Sequence, residues 1–285
     1  MPPIRNALTV DVEDYFQVQA FAGTIPRSAW ESLPRRVEAN TGRLLDLFAQ
    51  AGVRATFFTL GWVAERHPAL IRRIVAAGHE LASHGHGHEL VDRIGEARFR
   101  ADVARARCVL EDAGGVAVAG YRAPTFSLGA RTPWAFDVLA ETGHRYSSSI
   151  YPVRHDLYGS PDAPRAPYRV AAGAMWELPM TTLHRFGRTW PAAGGGWFRL
   201  LPYPAFRAVL RAALAAELQP AVFYTHPWEI DPAQPRVPGA AWRARFRHYT
   251  GLRATERRLA RLLHDFAWDR MDSVYAPLLS GGGGA

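Results

Sequence analysis

The sequence predicts an α/β fold built on a parallel sheet, either open or closed into a barrel. Three observations carry that prediction. Short β-prone apolar runs alternate with longer stretches of helical periodicity along most of the chain. Glycines at 52, 78 and 143 stand where helical patterns stop. The polar clusters each fall directly after an expected strand, and α/β folds build their sites at the carboxyl ends of strands. With 285 residues, 48% of them hydrophobic, the chain can bury the core of one large domain.

The elements follow in order. Residues 7–12 form an apolar run that ends in acids, a first strand. Residues 34–51 read as a helix with Leu44, Leu45, Leu47 and Phe48 on its apolar side, and the Ala-Thr-Phe-Phe-Thr-Leu run at 55–60 as a second strand. A helix over 62–77 leads to a third strand at 79–83, which ends just before the histidines at 84–88. A helix at 97–113 with dense arginine precedes a strand at 116–121 and a turn at 122–126. Then come a helix at 132–142, a strand at 146–150 and a loop rich in proline and charge at 152–168. Strands at 174–179 and 221–224 flank a helix at 203–217, and a helix at 254–266 closes the chain.

Composition narrows the class of function. Every one of the 34 basic residues is arginine, and the formal net charge is +8. The arginines are spread along helices among acids, which reads as a solvated surface. An anionic partner or a membrane face is the alternative, and no nucleic-acid module is present. Cys108 is the lone cysteine, so no intrachain disulfide forms; its apolar helical surroundings predict a buried filler. No stretch of 18 apolar residues exists and the N-terminus lacks a signal-peptide core, so the expected compartment is the cytoplasm. Residues 281–285 are expected to be a disordered tail.

Four clusters carry chemistry. Asp11, Glu13 and Asp14 follow the first strand, and three acids so close repel unless something positive sits among them. His84 and His88, four apart, would share one face of a helical turn with a rise of roughly 6 Å, which suits two nitrogens closing on one ion. Adding a carboxylate gives two imidazoles and an oxygen with positions left for water, the ligand set of a hydrolytic metal centre. His86 is expected to point away, and His79 to be structural. Arg122, in the turn Arg-Ala-Pro-Thr-Phe, can hold a catalytic carboxylate by a bidentate ion pair, with backbone amides after Pro124 facing an oxyanion. His226, before Pro-Trp-Glu, suits general acid work. The competing reading is a packed core histidine.

Taken together and in this order, residues 9–14, 84–88, 122–126 and 224–226 resemble the motifs of the polysaccharide deacetylases of carbohydrate esterase family 4, the NodB-like enzymes. The resemblance spans about residues 7–230. The segments Asp-Val-Glu-Asp-Tyr-Phe, Gly-His-Glu-Leu-Ala-Ser-His-Gly and His-Pro-Trp-Glu-Ile-Asp-Pro look like a subgroup found in exopolysaccharide loci, associated with exosortase (PEP-CTERM) sorting and related to allantoinase-like and peptidoglycan-deacetylase-like members.

That resemblance implies a deformed (β/α) barrel of the NodB-homology type, with a catalytic domain over 1–230 and a C-terminal extension over 231–280. It implies one divalent metal ion, Zn²⁺, held by His84, His88 and either Asp14 or Glu13, a choice the sequence leaves open. Asp11 would be the base, Arg122 its partner and His226 the acid. Thr125, Phe126 and Trp228 would contact an N-acetylated glycan, with Trp62 and Trp197 further along a groove. The family's acid that tunes the catalytic histidine has no evident counterpart; Asp156 or Glu177 are the expected substitutes. The implied reaction is removal of N-acetyl groups from an amino-sugar polysaccharide or a lipid-linked precursor at the inner membrane face, a peripheral contact an arginine-rich surface would favour. A cyclic-amide hydrolase and a catalytically silent polysaccharide-binding module are the competing readings.

Overall fold

The structure, a computed structural model, describes residues 4–280. The expected tail at 281–285 lies outside the described residues. Eleven strands are present among the described residues: β1 Asn6–Val12, β2 Thr56–Thr59, β3 Glu80–Ser83, β4 Gly120–Tyr121, β5 Tyr146–Ser147, β6 Tyr168–Val170, β7 Met175–Glu177, β8 Thr182–Arg185, β9 Arg188–Pro191, β10 Val222–Thr225 and β11 Trp268–Asp269. The main sheet runs in the order β10-β1-β2-β3-β4-β5-β7-β6, with β11 also pairing β1. All its pairs are parallel except β6 with β7. The sheet curls into a partial barrel. Across the remaining gap, the Ala192 amide donates to Thr181 O at 3.1 Å and the Tyr224 amide to Ala193 O at 2.7 Å, so the base of the β8–β9 hairpin joins β7 to β10.

The alternation of side chains along β1 sets up the site. Leu8, Val10 and Val12 point outward into the large cluster beneath the helices, with Phe57, Phe48 and Phe223. The other face carries Ala7 into the inner cluster with Phe58, Tyr146 and Tyr224, and turns Thr9 and Asp11 toward Arg122. Helices Val37–Ala51, Pro68–Ala76, Glu96–Gly114, Tyr203–Glu217 and Leu252–Asp265 cover the outside. Residues from Leu8 to Trp268 contribute to one outer cluster, so the C-terminal segment packs on the same core as the first strand.

Several expectations shift. The single helix over 62–77 is two, Gly61–Arg66 and Pro68–Ala76, because Pro68 starts a new helix after a non-helical His67. The strand expected over 116–121 shrinks to β4, since the Val118 amide is taken by the Glu111 carboxylate instead of a neighbouring strand. Cys108 is exposed, not buried: it sits on the solvent side of Glu96–Gly114, whose buried face is Phe99, Val103, Ala106 and Leu110. No described helix is long and apolar enough to cross a membrane.

Candidate functional site

The carboxyl ends of β1, β3, β4 and β10 meet at one mouth of the curled sheet. Each delivers its polar residue within a few positions of the strand's last residue, the geometry parallel sheets offer for sites. Asp11, Glu13, His84, His88, Thr125, Phe126, His226 and Trp228 all line one cavity of about 700 Å³. Arg122 lies directly behind it, fully buried.

Glu13, His84 and His88 form the cluster with donor atoms close enough for one ion: one ligand atom from each falls within 4.8 Å of the others. The two histidines do not ride on a helical turn. They flank a loop in which Gly85 and His88 adopt left-handed φ values of 73° and 51°. Asp102 builds that loop by accepting from the amides of His86 and Gly87 at 2.8 and 3.0 Å, and a side chain at Gly85 would strike its carboxylate. The result still brings the two rings to 5.4 Å between centroids. His84 Nδ1 donates to Arg122 O at 2.8 Å, which leaves Nε2 as the free nitrogen. His86 turns away, its Nε2 3.0 Å from Glu65, and His79 accepts from the Ala55 amide at 3.0 Å.

Of the two carboxylates the sequence left open, Glu13 faces the histidines. Its Oε1 accepts from Trp228 Nε1 at 3.1 Å, and its Oε2 stands 2.8 Å from His88 Nε2. Asp14 points elsewhere. Its Oδ2 accepts from the amides of Arg36 and Val37 at 2.7 and 3.0 Å, and its Oδ1 from Tyr15 at 2.9 Å. The physical reason is the turn after β1: the Glu13 amide bonds back to Asp11 O at 3.1 Å, which keeps residues 11 and 13 on the same side and sends 14 outward.

Arg122 fixes Asp11. Its Nη1 donates to Asp11 Oδ1 at 2.6 Å and to Thr9 Oγ1 at 2.7 Å, while Nε and Nη2 reach Ser148 O and Oγ at 2.9 and 3.1 Å. The guanidinium also lies 4.1 Å from the Phe58 ring centroid. With every donor direction occupied, a buried charge of this kind is held rigidly. Across the cavity, His226 Nε2 lies 3.9 Å from Asp11 Oδ2 and 3.6 Å from Glu13 Oε1.

The partner of His226 is a residue the sequence reading gave no role. His226 Nδ1 donates to Glu229 Oε1 at 3.1 Å, and Thr225 Oγ1 donates to Glu229 Oε2 at 3.0 Å. Arg199 Nε stands 3.3 Å from Glu229 Oε1. Neither expected substitute reaches the histidine: Asp156 pairs with Arg247 at 2.7 Å, and Glu177 accepts from the amides of Ser149 and Ile150 at 2.9 and 2.8 Å. The signal for Glu229 was its spacing three residues after His226, which a 3₁₀ turn over Pro227–Ile230 converts into a contact.

Charges and burial oppose each other throughout. Burial lowers the His226 pKa, but Glu229, Glu13 and Asp11 outweigh it and push the value up to about 9. Burial raises Glu13, yet His88 foremost, with His226 and His84, brings it down to about 2. His84 is driven down to about 4, chiefly by burial, and so is a neutral imidazole with a lone pair to give. Trp228 is stacked between His226 and His248, at centroid distances of 5.0 and 4.2 Å. Trp197 lines the cavity as expected, whereas Trp62 packs edge-on against Phe16 and Trp30 in the core.

Residues 29–147 match the family model described as polysaccharide deacetylase, and residues 148–276 match a domain of unknown function (DUF3473). The second segment therefore supplies Arg199, His226, Trp228 and Glu229. A chitooligosaccharide deacetylase of Bradyrhizobium sp. (strain ANU 289) is 34% identical over 111 residues, covering 39% of this chain and 48% of that protein. A peptidoglycan-N-acetylglucosamine deacetylase of Bacillus cereus is 32% identical over 84 residues, covering 30% of each. The chain thus spans about half or less of the length of these curated relatives. In fold it is similar to a crystal structure described as a putative polysaccharide deacetylase from Mycobacterium smegmatis, with a TM-score of 0.64 at 23% identity, over 98% of this chain and 92% of that one. The family match covers residues 29–147, less than half of the chain, and the curled sheet has the fold of the solved structure; in these respects the chain is similar to the polysaccharide deacetylases.

Proposed function

We propose that the chain is a metal-dependent hydrolase that removes N-acetyl groups from an amino-sugar polysaccharide or its lipid-linked precursor. The observation that carries this reading is the convergence of Glu13, His84 and His88 with Asp11 and His226 in one cavity. Two imidazoles and a carboxylate fit a single divalent ion, Zn²⁺ by donor type. The fit has an independent mark: Glu13 Oε2 is buried and lacks a hydrogen-bond partner, although it lies beside His88. Glu13, not Asp14, is the carboxylate this reading assigns.

When bound, the ion supplies Lewis acidity to a water and to the acetamide carbonyl. The chain's own residues do the rest. Asp11, aimed by Arg122, takes the proton of the attacking water. His226 holds its transferable proton on Nε2, because Glu229 occupies Nδ1, and gives it to the leaving amine nitrogen as the C–N bond breaks. Acetate and a free amino sugar result. Thr125 and Phe126, both at positive φ, shape the turn that would face the carbonyl oxygen.

The cavity is an aromatic-walled groove, which suits a sugar polymer better than the ring amide of an allantoinase-like substrate. Glu229 in the place of the missing acid removes the motive for a silent binding module. The domain reading assigns catalysis to residues 1–230, with 231–280 completing the groove wall. The exopolysaccharide role rests on the resemblance of the segment following His226. The test is acetate release from acetylated oligosaccharides. Asp11→Asn is expected to keep its metal and lose activity by at least about 100-fold, while His84→Ala loses the metal by elemental analysis. A fully active Asp11→Asn variant sinks the assignment.

A further inference from the structure

Resting on that reading, we propose that the groove selects an acetylated glycan that carries anionic groups, and that Arg154 and Arg243 read them. The floor of the groove is accounted for by the residues already described. Its rim is different. Arg154, Arg243 and Arg247 line the same cavity, and all three are exposed. Among the described residues, the one carboxylate at that rim is Asp156, and it is already held by Arg247 at 2.7 Å and His155 at 3.2 Å. Among the described residues, Arg154 and Arg243 have no carboxylate within ion-pair distance, so their charges face the groove uncompensated.

The same rim offers an apolar platform. Trp242 is 72% exposed and Phe246 55% exposed, on helix Trp242–Tyr249. Arg243 lies 5.4 Å from the Trp242 ring centroid, so a stacking surface and a cation stand side by side. A neutral sugar needs only the ring. A sugar with a carboxylate or phosphate uses both, because the guanidinium fork matches the planar or tetrahedral oxygens while the sugar face covers the indole. The shared chemistry is an anionic oxygen group, from a uronic acid in the polymer or from the phosphate of a diphosphate-linked sugar.

Equilibrium binding and acetate release are measured at low salt with three probes: a neutral acetylated chitotetraose, a hyaluronan oligosaccharide of equal length, and UDP-N-acetylglucosamine. At least one anionic probe is expected to bind roughly tenfold tighter than the chitotetraose. The Arg154→Gln/Arg243→Gln variant should abolish that preference, and Arg188→Gln, on the β8–β9 hairpin and outside the cavity lining, should keep it. Preference for hyaluronan identifies a uronate; preference for the nucleotide sugar identifies a phosphate. Equal affinity for all probes, a preference that survives in the double variant, or one lost equally in Arg188→Gln overturns the proposal. Arginine-dependent binding without acetate release from any probe retains the anion site and rejects the hydrolase. Acetate release with no anionic preference does the reverse.

Discussion

His226 is polarised from behind by a chain of buried charges. Arg199 faces Glu229, Glu229 accepts from Nδ1, and Nε2 looks into the groove. Arg199 itself is locked by donating from Nη1 to His248 O and Thr250 O, both at 2.8 Å. Replacing Glu229 by Gln keeps the volume and removes the charge that holds the imidazolium. The expected result is a kcat lowered about 10- to 100-fold with KM nearly unchanged, because the loss falls on proton transfer. The alkaline limb of the rate profile should also move to lower pH, since His226 gives up its proton sooner; an unmoved limb would remove Glu229 from this role. At this scale the sequence was informative about type and order. Asp11, His84, His88, Arg122 and His226 converge from distant positions. The choice between Glu13 and Asp14 was not legible, because it depends on one backbone turn after β1. Glu229 hid in a segment whose 3₁₀ path has no marked periodicity.

Asp14 belongs to an element rather than to the cluster. Its carboxylate satisfies the first free amide of helix Val37–Ala51, a long-range equivalent of an N-cap, since no side chain at the helix's own N-cap does so. Asp14→Ala is expected to cost about 1–2 kcal/mol of stability and to leave metal stoichiometry intact, read by denaturant titration and elemental analysis on the same sample. Loss of the metal without loss of stability would return the ligand role to Asp14. Other elements were legible in proportion to their periodicity. Helix Tyr203–Glu217 matches its expected bounds, and Val37–Ala51 and Leu252–Asp265 lie within a few residues of theirs. The β8–β9 hairpin was not legible, because its turn places Phe186 at φ 55° before Gly187 at 68°, and a phenylalanine is a poor signal for that conformation. Helix Trp242–Tyr249 was missed for a related reason: arginine alternates with apolar residues there, a period of two that imitates a strand.

At the scale of the molecule, stability and site are tied through buried carboxylates that serve no reaction. Glu177 on β7 is fully buried, and burial pushes its pKa up to about 7, despite the opposing amides of Ser149 and Ile150 and the charge of Arg122. The folded chain therefore holds a proton that the unfolded chain, near 4.5, has released. The associated stability is full below about pH 4.5 and is lost as pH rises through 7, on the order of 3 kcal/mol in all. Glu177→Gln is expected to flatten this slope in urea titrations between those limits; an unchanged slope would place the proton elsewhere. The fold class was the most legible property of all, since strand–helix alternation fixes a parallel sheet, whereas the closure through the β8–β9 hairpin depends on contacts no local pattern announces. The pairing of β1 has one more consequence. Its partner β2 comes from residues 56–59, but β10 and β11 come from residues 222–225 and 268–269. As the chain leaves the ribosome, the strand that carries Asp11 is made well before β10 and β11, so one of its edges stays open until those segments emerge. The order of synthesis and the order of assembly run opposite ways, and the setting of Asp11 waits on strands made long after it.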